Sequence, residues 1–580
     1  MAARTYFDSS ADQLDLLQSA TLVGMLKGSS YYNPVLNPER SLRRRNIVLS
    51  QMVKRGKLQS EKFEALKENP LGIDFEQQSE PAGQAPHLSR YLRKWLIDWA
   101  DRNNYNIYND GLVVYTTLDS RLQALANQSI VRQGYQLQHV VNPAWEPKTV
   151  WNARNALVRT FISESTEYRA ALDSGLTSSQ AITQLQANAE FMQKLRQQKT
   201  TIQAGFLAID PNNGHIKAWV GSRNFGEDAF DHVQQARRQP GSTFKPFVYG
   251  EAFRQGIGPE TMFVDKAVEF RVGPNDIWRP ADGSPPSDSE MSLRDGLAFS
   301  KNTITAQLMQ QVGPTNVARL AHELGVRQSK LNPVPSLALG TSPVTLREMT
   351  TAYATIANGG DYRDLIMITR IEDRHGDIIA EFHPAAAEKT LDSRTAHILL
   401  DVMRGVINHG TGMAIRNHFG IRADVAGKTG TTQDNADGWF LLMHPQLVAG
   451  AWVGFNDNRV TLQDNYWGQG ARSALPIVGD VFREALRLRV IDPQAQFISP
   501  QDSEGTLQQV SDKVKNWASG FFGLTENEDA SHEFPENSEL DSSIEEHDST
   551  PQQSLQEKND RALEDEKREE IRRMESLYSN

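Results

Sequence analysis

The sequence predicts an α+β domain over residues 201–490, built on a mostly antiparallel sheet flanked by helices. Three observations carry that expectation. AGFLAID (204–210) and HIKAWVG (215–221) are β-like runs separated by Pro-Asn-Asn-Gly, the residue types a hairpin loop favours. WFLLM (439–443) and QLVAGAWVGF (446–455) flank His444-Pro445 and form a second hairpin pattern. Between them lie helical patterns such as TITAQLMQQV and TLREMTTAYATIA. Strands at both ends of a segment around a helical middle argue for one sheet that joins the segment's ends.

The preceding elements follow in order. ADQLDLLQSATLVGMLKG (11–28) has apolar residues at helical spacing, with Asp12 near its start and Gly28 after its end. In SSYYNPVLNPE two Asn-Pro pairs mark a loop, because the residue before proline is biased away from the α region. A second helix begins around Arg40, and its basic stripe SLRRRN reads as a solvated face. Residues 1–70 form one helical unit, and 71–133 a linker segment that contains the polar run GIDFEQQSEPAGQ. Within that segment GLVVYTTLDSRLQALANQ (111–128) reads as a strand followed by a helix capped near Asp119. Residues 134–200 are polar, helical in pattern and free of chemical motifs, as expected of an insert.

At 580 residues the chain is too long for one core. Its net charge of −11 is concentrated at the C-terminus, where residues 525–580 hold 18 acidic and 6 basic side chains. That leaves the remainder near neutral, with no basic footprint for nucleic acid. Residues 491–580 divide into an amphipathic stretch, VSDKVKNWASGFFGL, and a Ser-rich acidic tail. The tail is too poor in apolar residues to fold alone and is expected to be disordered; its last segment, QEKNDRALEDEKREEIRRMESLY, has the charge spacing of an exposed helix. The absence of cysteine removes disulfides, thiolate zinc sites and thiol nucleophiles. No apolar run is long enough to span a bilayer, and the opening MAARTYF lacks a signal-peptide pattern and reads like the middle of a domain.

Three short motifs carry the chemistry: Ser242-Thr243-Phe244-Lys245, Ser300-Lys301-Asn302, and Lys428-Thr429-Gly430 followed by Thr431 and Thr432. Any one of them alone is an N-cap, a loop or a strand end; all three in order are a signature. Residues three apart on a helix share a face, so Lys245 is expected beside the Ser242 oxygen. Pro240-Gly241 puts Ser242 at a helix start, where the helix dipole favours developing negative charge. A serine hydroxyl becomes a nucleophile when a base takes its proton. Lys245 serves as that base if burial or a neighbouring cation, Lys428 being the candidate, depresses its pKa. Ser300 offers a proton-relaying hydroxyl, and Asn302 an amide for a substrate peptide bond. On a strand Thr429 and Thr431 share one face, Lys428 adds a cation for a terminal carboxylate, and Gly430 admits substrate close to the backbone. The N–H groups of Ser242 and Thr431 make a candidate oxyanion hole.

This trio is a recognised mark of penicillin-binding proteins and class A β-lactamases. RRQPGSTFKPF, LALGTSPVTLREMTTAYATIANGG, GTGMAIR and AGKTGTTQDNADGWF resemble the transpeptidase domain of class A, bifunctional penicillin-binding proteins. GLVVYTTLDSRLQ resembles that family's linker, and AARTYF with LVGMLKGSSYYNPVLNPERSLRRRNIVL the last part of its glycosyltransferase domain. The resemblance implies a penicillin-binding, serine β-lactamase-like fold preceded by a helical glycosyltransferase remnant. It implies peptidoglycan stem peptides ending in D-Ala-D-Ala as substrate and β-lactam antibiotics as ligands, with neither a metal nor an organic cofactor. Ser242, Lys245 and Ser300 are the expected catalytic residues, and Asn302, Lys428, Thr429, Gly430 and Thr431 the substrate-binding ones. It further implies a parent protein anchored at the outer face of the bacterial cytoplasmic membrane. The chain itself is expected to be truncated, without glycan-polymerising activity, and loosely packed over residues 1–70. Two rival readings share the acylation step. A serine β-lactamase needs a positioned base for water, and no clear acidic loop motif of that kind lies between Asn302 and Lys428; a β-lactam sensor needs a transmembrane relay.

Overall fold

A computed structural model describes residues 2–497 apart from 8, 10, 30, 75–82, 153 and 272–276. The amphipathic stretch 510–524, the acidic tail and most of the polar linker run lie outside the described residues. Among the described residues no helix is long and apolar enough to cross a membrane.

The first helix of the pattern, α1 (Leu16–Met25), is capped by Asp15 rather than Asp12. The Asp15 carboxylate accepts from the Gln18 N–H at 2.7 Å, and the Gln18 side chain accepts from the Asp15 N–H at 3.0 Å. This reciprocal pair fixes the helix start one turn later than the apolar spacing suggested. Helix α2 (Pro38–Lys54) begins with proline in its first turn, where no N–H is required. Its basic stripe is not simply a solvated face. Arg45 is fully buried and donates to the carbonyls of Lys67, Asn69 and Pro70. Arg40 and Arg44 lie over the rings of Tyr31 and Tyr32. Packing in this unit is uneven: Ala20, Thr21 and Leu49 are buried, whereas Val23, Leu26, Leu36 and Ile47 are exposed.

After α3 (Pro86–Arg102) and β1 (Val113–Thr116), helix α4 (Ser120–Ala144) starts at Asp119, whose carboxylate accepts from the Arg121 and Leu122 N–H groups. It runs unbroken through residue 134, so linker segment and insert share one helix. The rest of the insert is four short helices, Ala156–Ser163, Thr166–Asp173, Ser178–Ala187 and Ala189–Thr200, opened by side-chain caps from Asn155, Ser165, Thr177 and Asn188. Short helices that bury one narrow stripe, here including Val158, Phe161, Ile162 and Phe191, need few apolar residues, hence the polar composition.

Strands β2 (Gln203–Ile209) and β3 (Ile216–Val220) form the first hairpin. The helical middle then supplies α5 (Lys245–Arg254), α6 (Asn302–Val312) and α7 (Leu346–Ala357). β4 (Ile368–Glu372) and β5 (Ile378–Glu381) join β1 in a small antiparallel sheet, and α8 (Ser393–Asn408) follows. β6 (Ala426–Thr431), β7 (Asp437–His444) and β8 (Leu447–Gly454) precede α9 (Leu475–Arg487).

The main sheet has the order β6-β7-β8-β2-β3, antiparallel throughout, with Val448 opposite Ile209 and Gly454 opposite Gln203. The two ends of the segment therefore meet at the β8–β2 pairing, as the sequence pattern predicts. Alternate residues of β7 enter opposite cores. Trp439, Leu441 and Met443 pack with residues of α5, α6, α7 and α8, and Phe440 and Leu442 with those of α4 and α9. Burial on both faces explains why these strands read as continuous apolar runs. The linker segment seals the β3 edge. Trp219 N–H donates to the buried Gln123 side chain at 2.7 Å, Gln123 donates back to the Trp219 carbonyl at 3.0 Å, and Thr117 Oγ1 donates to the Ile216 carbonyl. At the opposite edge, among the described residues, β6 pairs on one side only.

Candidate active site

Residues Gly241–Phe244 form a 3₁₀ turn that leads directly into α5. Side chains three apart eclipse in such a turn, so Ser242 and Lys245 lie on one face. Two contacts hold it. Thr243 Oγ1 donates to the Pro240 carbonyl at 2.7 Å, and the buried Tyr353 hydroxyl of α7 donates to the Thr243 carbonyl at 2.7 Å. Glycines let the turn sit flush against β6. Gly241 has φ +55°, and a Cβ there would lie 2.6 Å from the Thr431 carbonyl oxygen. A Cβ on Gly430 would lie 2.6 Å from the Pro240 carbonyl oxygen and 2.8 Å from Thr243 Cγ2. The space above Gly430 is thus filled by the serine-bearing turn, not left open for substrate as the sequence suggested.

Lys245 is fully buried, and its amine turns toward the second motif. Nζ donates to the Ser300 carbonyl, to Ser300 Oγ at 3.2 Å and to Asn302 Oδ1 at 2.7 Å. Ser300 has φ +60°, a left-handed conformation that a non-glycine residue adopts at a cost and that recurs at functional sites. Lys301 points elsewhere, pairing with the buried Asp265 carboxylate at 2.9 Å, and so anchors the turn. Asn302 opens α6, and its side-chain amide is engaged at both ends: Oδ1 by Lys245, Nδ2 by the Ala281 carbonyl at 2.6 Å. Among the described residues no hydrogen bond reaches the Ser242 hydroxyl, which is half-buried, so the expected Ser242–Lys245 contact is a shared face here and not a bond.

The third motif lies on the free-edge strand β6. Lys428 is fully buried and donates to Ser300 Oγ at 2.9 Å and to the Thr429 carbonyl at 3.0 Å. Ser300 Oγ therefore sits between two lysine amines. Lys428 and Gly430 face α5, while Thr429 and Thr431 share the other face. The Thr429 and Thr411 hydroxyls are 2.6 Å apart, and Thr431 Oγ1 accepts from the Gly470 N–H at 3.0 Å. Below this strand, the buried Asp437 carboxylate accepts from Trp452 Nε1 and contacts the Thr432 hydroxyl.

Burial, the larger cause, and the Lys301 ammonium push the Lys245 pKa down from 10.5 to about 7, against the pull of the Asp282 carboxylate. Lys428 is also depressed, by burial first and then by Lys245. Of the two causes the sequence offered, burial is the larger at Lys245; the neighbouring cation acting on it is Lys301, while the candidate cation Lys428 is itself depressed by Lys245. An amine that loses its proton near neutrality, next to relaying hydroxyls, is equipped as a general base.

Three contributors were not singled out from the sequence: Tyr353, Thr411 and Asp282. Thr411 lies in GTGMAIR and Tyr353 in LALGTSPVTLREMTTAYATIANGG, segments that stood out as whole strings. Asp282 sits in a Pro-rich loop with no pattern that marks it.

Residues 204–446 match the family model for the penicillin-binding protein transpeptidase domain, and residues 1–53 that for transglycosylase. Penicillin-binding protein 1A of Pseudomonas aeruginosa is 28% identical over 82% of this chain and 68% of its own length. Penicillin-binding protein 1A of Neisseria gonorrhoeae is 27% identical, covering 84% and 66%, and penicillin-binding protein 2D of Bacillus subtilis 28%, covering 79% and 58%. The chain thus spans about two thirds or less of these relatives. The crystal structure of penicillin-binding protein 1A from Haemophilus influenzae superimposes with a TM-score of 0.58 at 22% identity, covering 86% of this chain and 84% of that one, and so shares its fold. With both domain models matched in chain order and all three motifs assembled at one site, the chain carries a penicillin-binding protein transpeptidase domain preceded by a transglycosylase segment, and in this arrangement it is similar to the class A penicillin-binding proteins.

Proposed function

We propose that this chain is a serine D,D-transpeptidase that cross-links peptidoglycan stem peptides ending in D-Ala-D-Ala, and that β-lactams acylate the same serine, Ser242. The observation that carries the reading is the meeting of Lys245 and Lys428 on the Ser300 hydroxyl, at 3.2 and 2.9 Å, beside the turn that presents Ser242.

In the first half-reaction Ser242 Oγ attacks the penultimate D-alanine carbonyl carbon, and its proton passes to the neutral Lys245 amine. The carbonyl electron pair moves onto oxygen, where the Ser242 and Thr431 N–H groups stabilise it. Collapse of this intermediate breaks the C–N bond, and the proton returns by way of Ser300 Oγ to the departing D-alanine amine. In the second half-reaction an amine of a neighbouring stem attacks the ester, gives its proton to the same base and releases Ser242 as a hydroxyl. Water in place of that amine makes the reaction a carboxypeptidase one. Lys428, Thr429 and Thr431 hold the terminal carboxylate, and Asn302 holds a stem peptide bond after exchanging Ala281 for it. The free edge of β6 offers the backbone groups of Thr429 and Thr431 to an extended peptide. The setting that supplies such stems is the bacterial cell envelope outside the cytoplasmic membrane.

The adduct lifetime tests this against the β-lactamase reading. Intact mass after penicillin treatment should show one stoichiometric adduct that persists for minutes or longer, with negligible cephalosporin turnover. Each 1.36 kcal/mol of transition-state stabilisation absent for water slows hydrolysis about tenfold. Cephalosporin hydrolysis sustained at many turnovers per second would replace the transpeptidase reading with the β-lactamase one.

A further inference from the structure

We infer that Asp282 is a positioning residue of the acylation site, which clamps the Ser300-Lys301-Asn302 turn and sets the charge balance at Lys245. The inference rests on the transpeptidase reading above. Residue 282 lies in the loop between Trp278 and Glu290, far in sequence from each motif, yet it grips the second motif directly. The Asn302 N–H donates to Asp282 Oδ1 at 2.8 Å, and the neighbouring Ala281 carbonyl takes the Asn302 side-chain amide. One two-residue stretch therefore fixes both the backbone and the head of Asn302, whose Oδ1 accepts from Lys245.

The second Asp282 oxygen, Oδ2, is buried and has no hydrogen-bond partner among the described residues. A buried acceptor left unbonded is costly and calls for a compensating interaction. Lys245 supplies it. From α5 itself, the buried Tyr249 hydroxyl lies one turn beyond Lys245 and is occupied with Thr305. From the turn before α6 come Ser300 and the Lys301 ammonium, from β6 the Lys428 amine, and from the loop Asp282. Lys301 is matched by Asp265, which leaves Asp282 as the carboxylate acting on Lys245 among the described residues. Its attraction holds a proton on Lys245 against the burial that expels it. Asp282 thereby raises the pH at which the general base becomes free, and its Oδ1 keeps Asn302 in place to receive a peptide.

The test is the rate of Ser242 acylation by penicillin from pH 5.5 to 9 for the wild type, Asp282→Asn and Asp282→Ala. Asp282→Asn keeps an acceptor for the Asn302 N–H and removes the charge. Its acidic limb should move to lower pH, so that at pH 6 it acylates faster than the wild type, by about twofold or more. Asp282→Ala also removes the acceptor, and its plateau should fall about tenfold. A residue that only props up the loop would leave the Asp282→Asn profile superimposed on that of the wild type, and that result would overturn the inference. The isosteric variant decides even if the alanine one folds poorly. A wild type that is not acylated at all would instead remove the transpeptidase reading.

Discussion

Lys245→Ala is expected to slow penicillin acylation of Ser242 by about 10²- to 10⁴-fold, the range a positioned general base supplies. The reason lies in the placement of the amine. Burial brings the Lys245 pKa down from 10.5 to about 7, so near neutrality a sizeable fraction is free to accept a proton. In the wild type the acylation rate should climb as pH rises through about 7 and level off above it, because only the neutral amine is a base. The variant should lose that limb altogether. Pre-steady-state labelling across pH reads both effects, and a thermal melt separates them from the cost of vacating a buried site whose partners are Ser300 and Asn302. A variant within about threefold of wild type would assign the proton transfer to another group.

Gly241→Ala should damage both fold and site. At φ +55° an alanine is strained by about 1–2 kcal/mol, and its Cβ would sit 2.6 Å from the Thr431 carbonyl, an overlap worth about 1–3 kcal/mol more. Relief requires the serine-bearing turn to move away from β6, which separates the Ser242 and Thr431 N–H groups. We expect a loss of about 2–5 kcal/mol in chemical denaturation together with at least a 10²-fold drop in acylation. Wild-type stability and rate in this variant would mean that the turn does not need its close seat on the strand.

The sheet was legible because burial on both faces leaves long apolar runs, and the hairpin joining β7 to β8 is marked by proline at its turn. The site was legible because three motifs keep fixed local spacing, and a 3₁₀ turn or a strand converts spacing into a shared face. What the sequence could not convey were contacts between distant segments. Nothing local announces that Ala281 and Asp282 clamp Asn302, that Thr411 meets Thr429, or that Gly430 yields its space to Pro240 and Thr243. Arg45 was misread for the same reason. Its buried state depends on carbonyls at residues 67–70, more than twenty positions away, and a basic stripe viewed alone is indistinguishable from a solvated one. The helix starts at Asp15, one turn after Asp12, because the decisive bond is to a backbone N–H that apolar periodicity does not register.

The central claim is that Ser242 is the acylated residue, and peptide mapping of the penicillin adduct tests it most directly. After brief exposure to a penicillin, proteolysis and tandem mass spectrometry should place the added mass on Ser242, with none acquired by the Ser242→Ala variant under the same conditions. An adduct on any other serine, or undiminished labelling of Ser242→Ala, would contradict it.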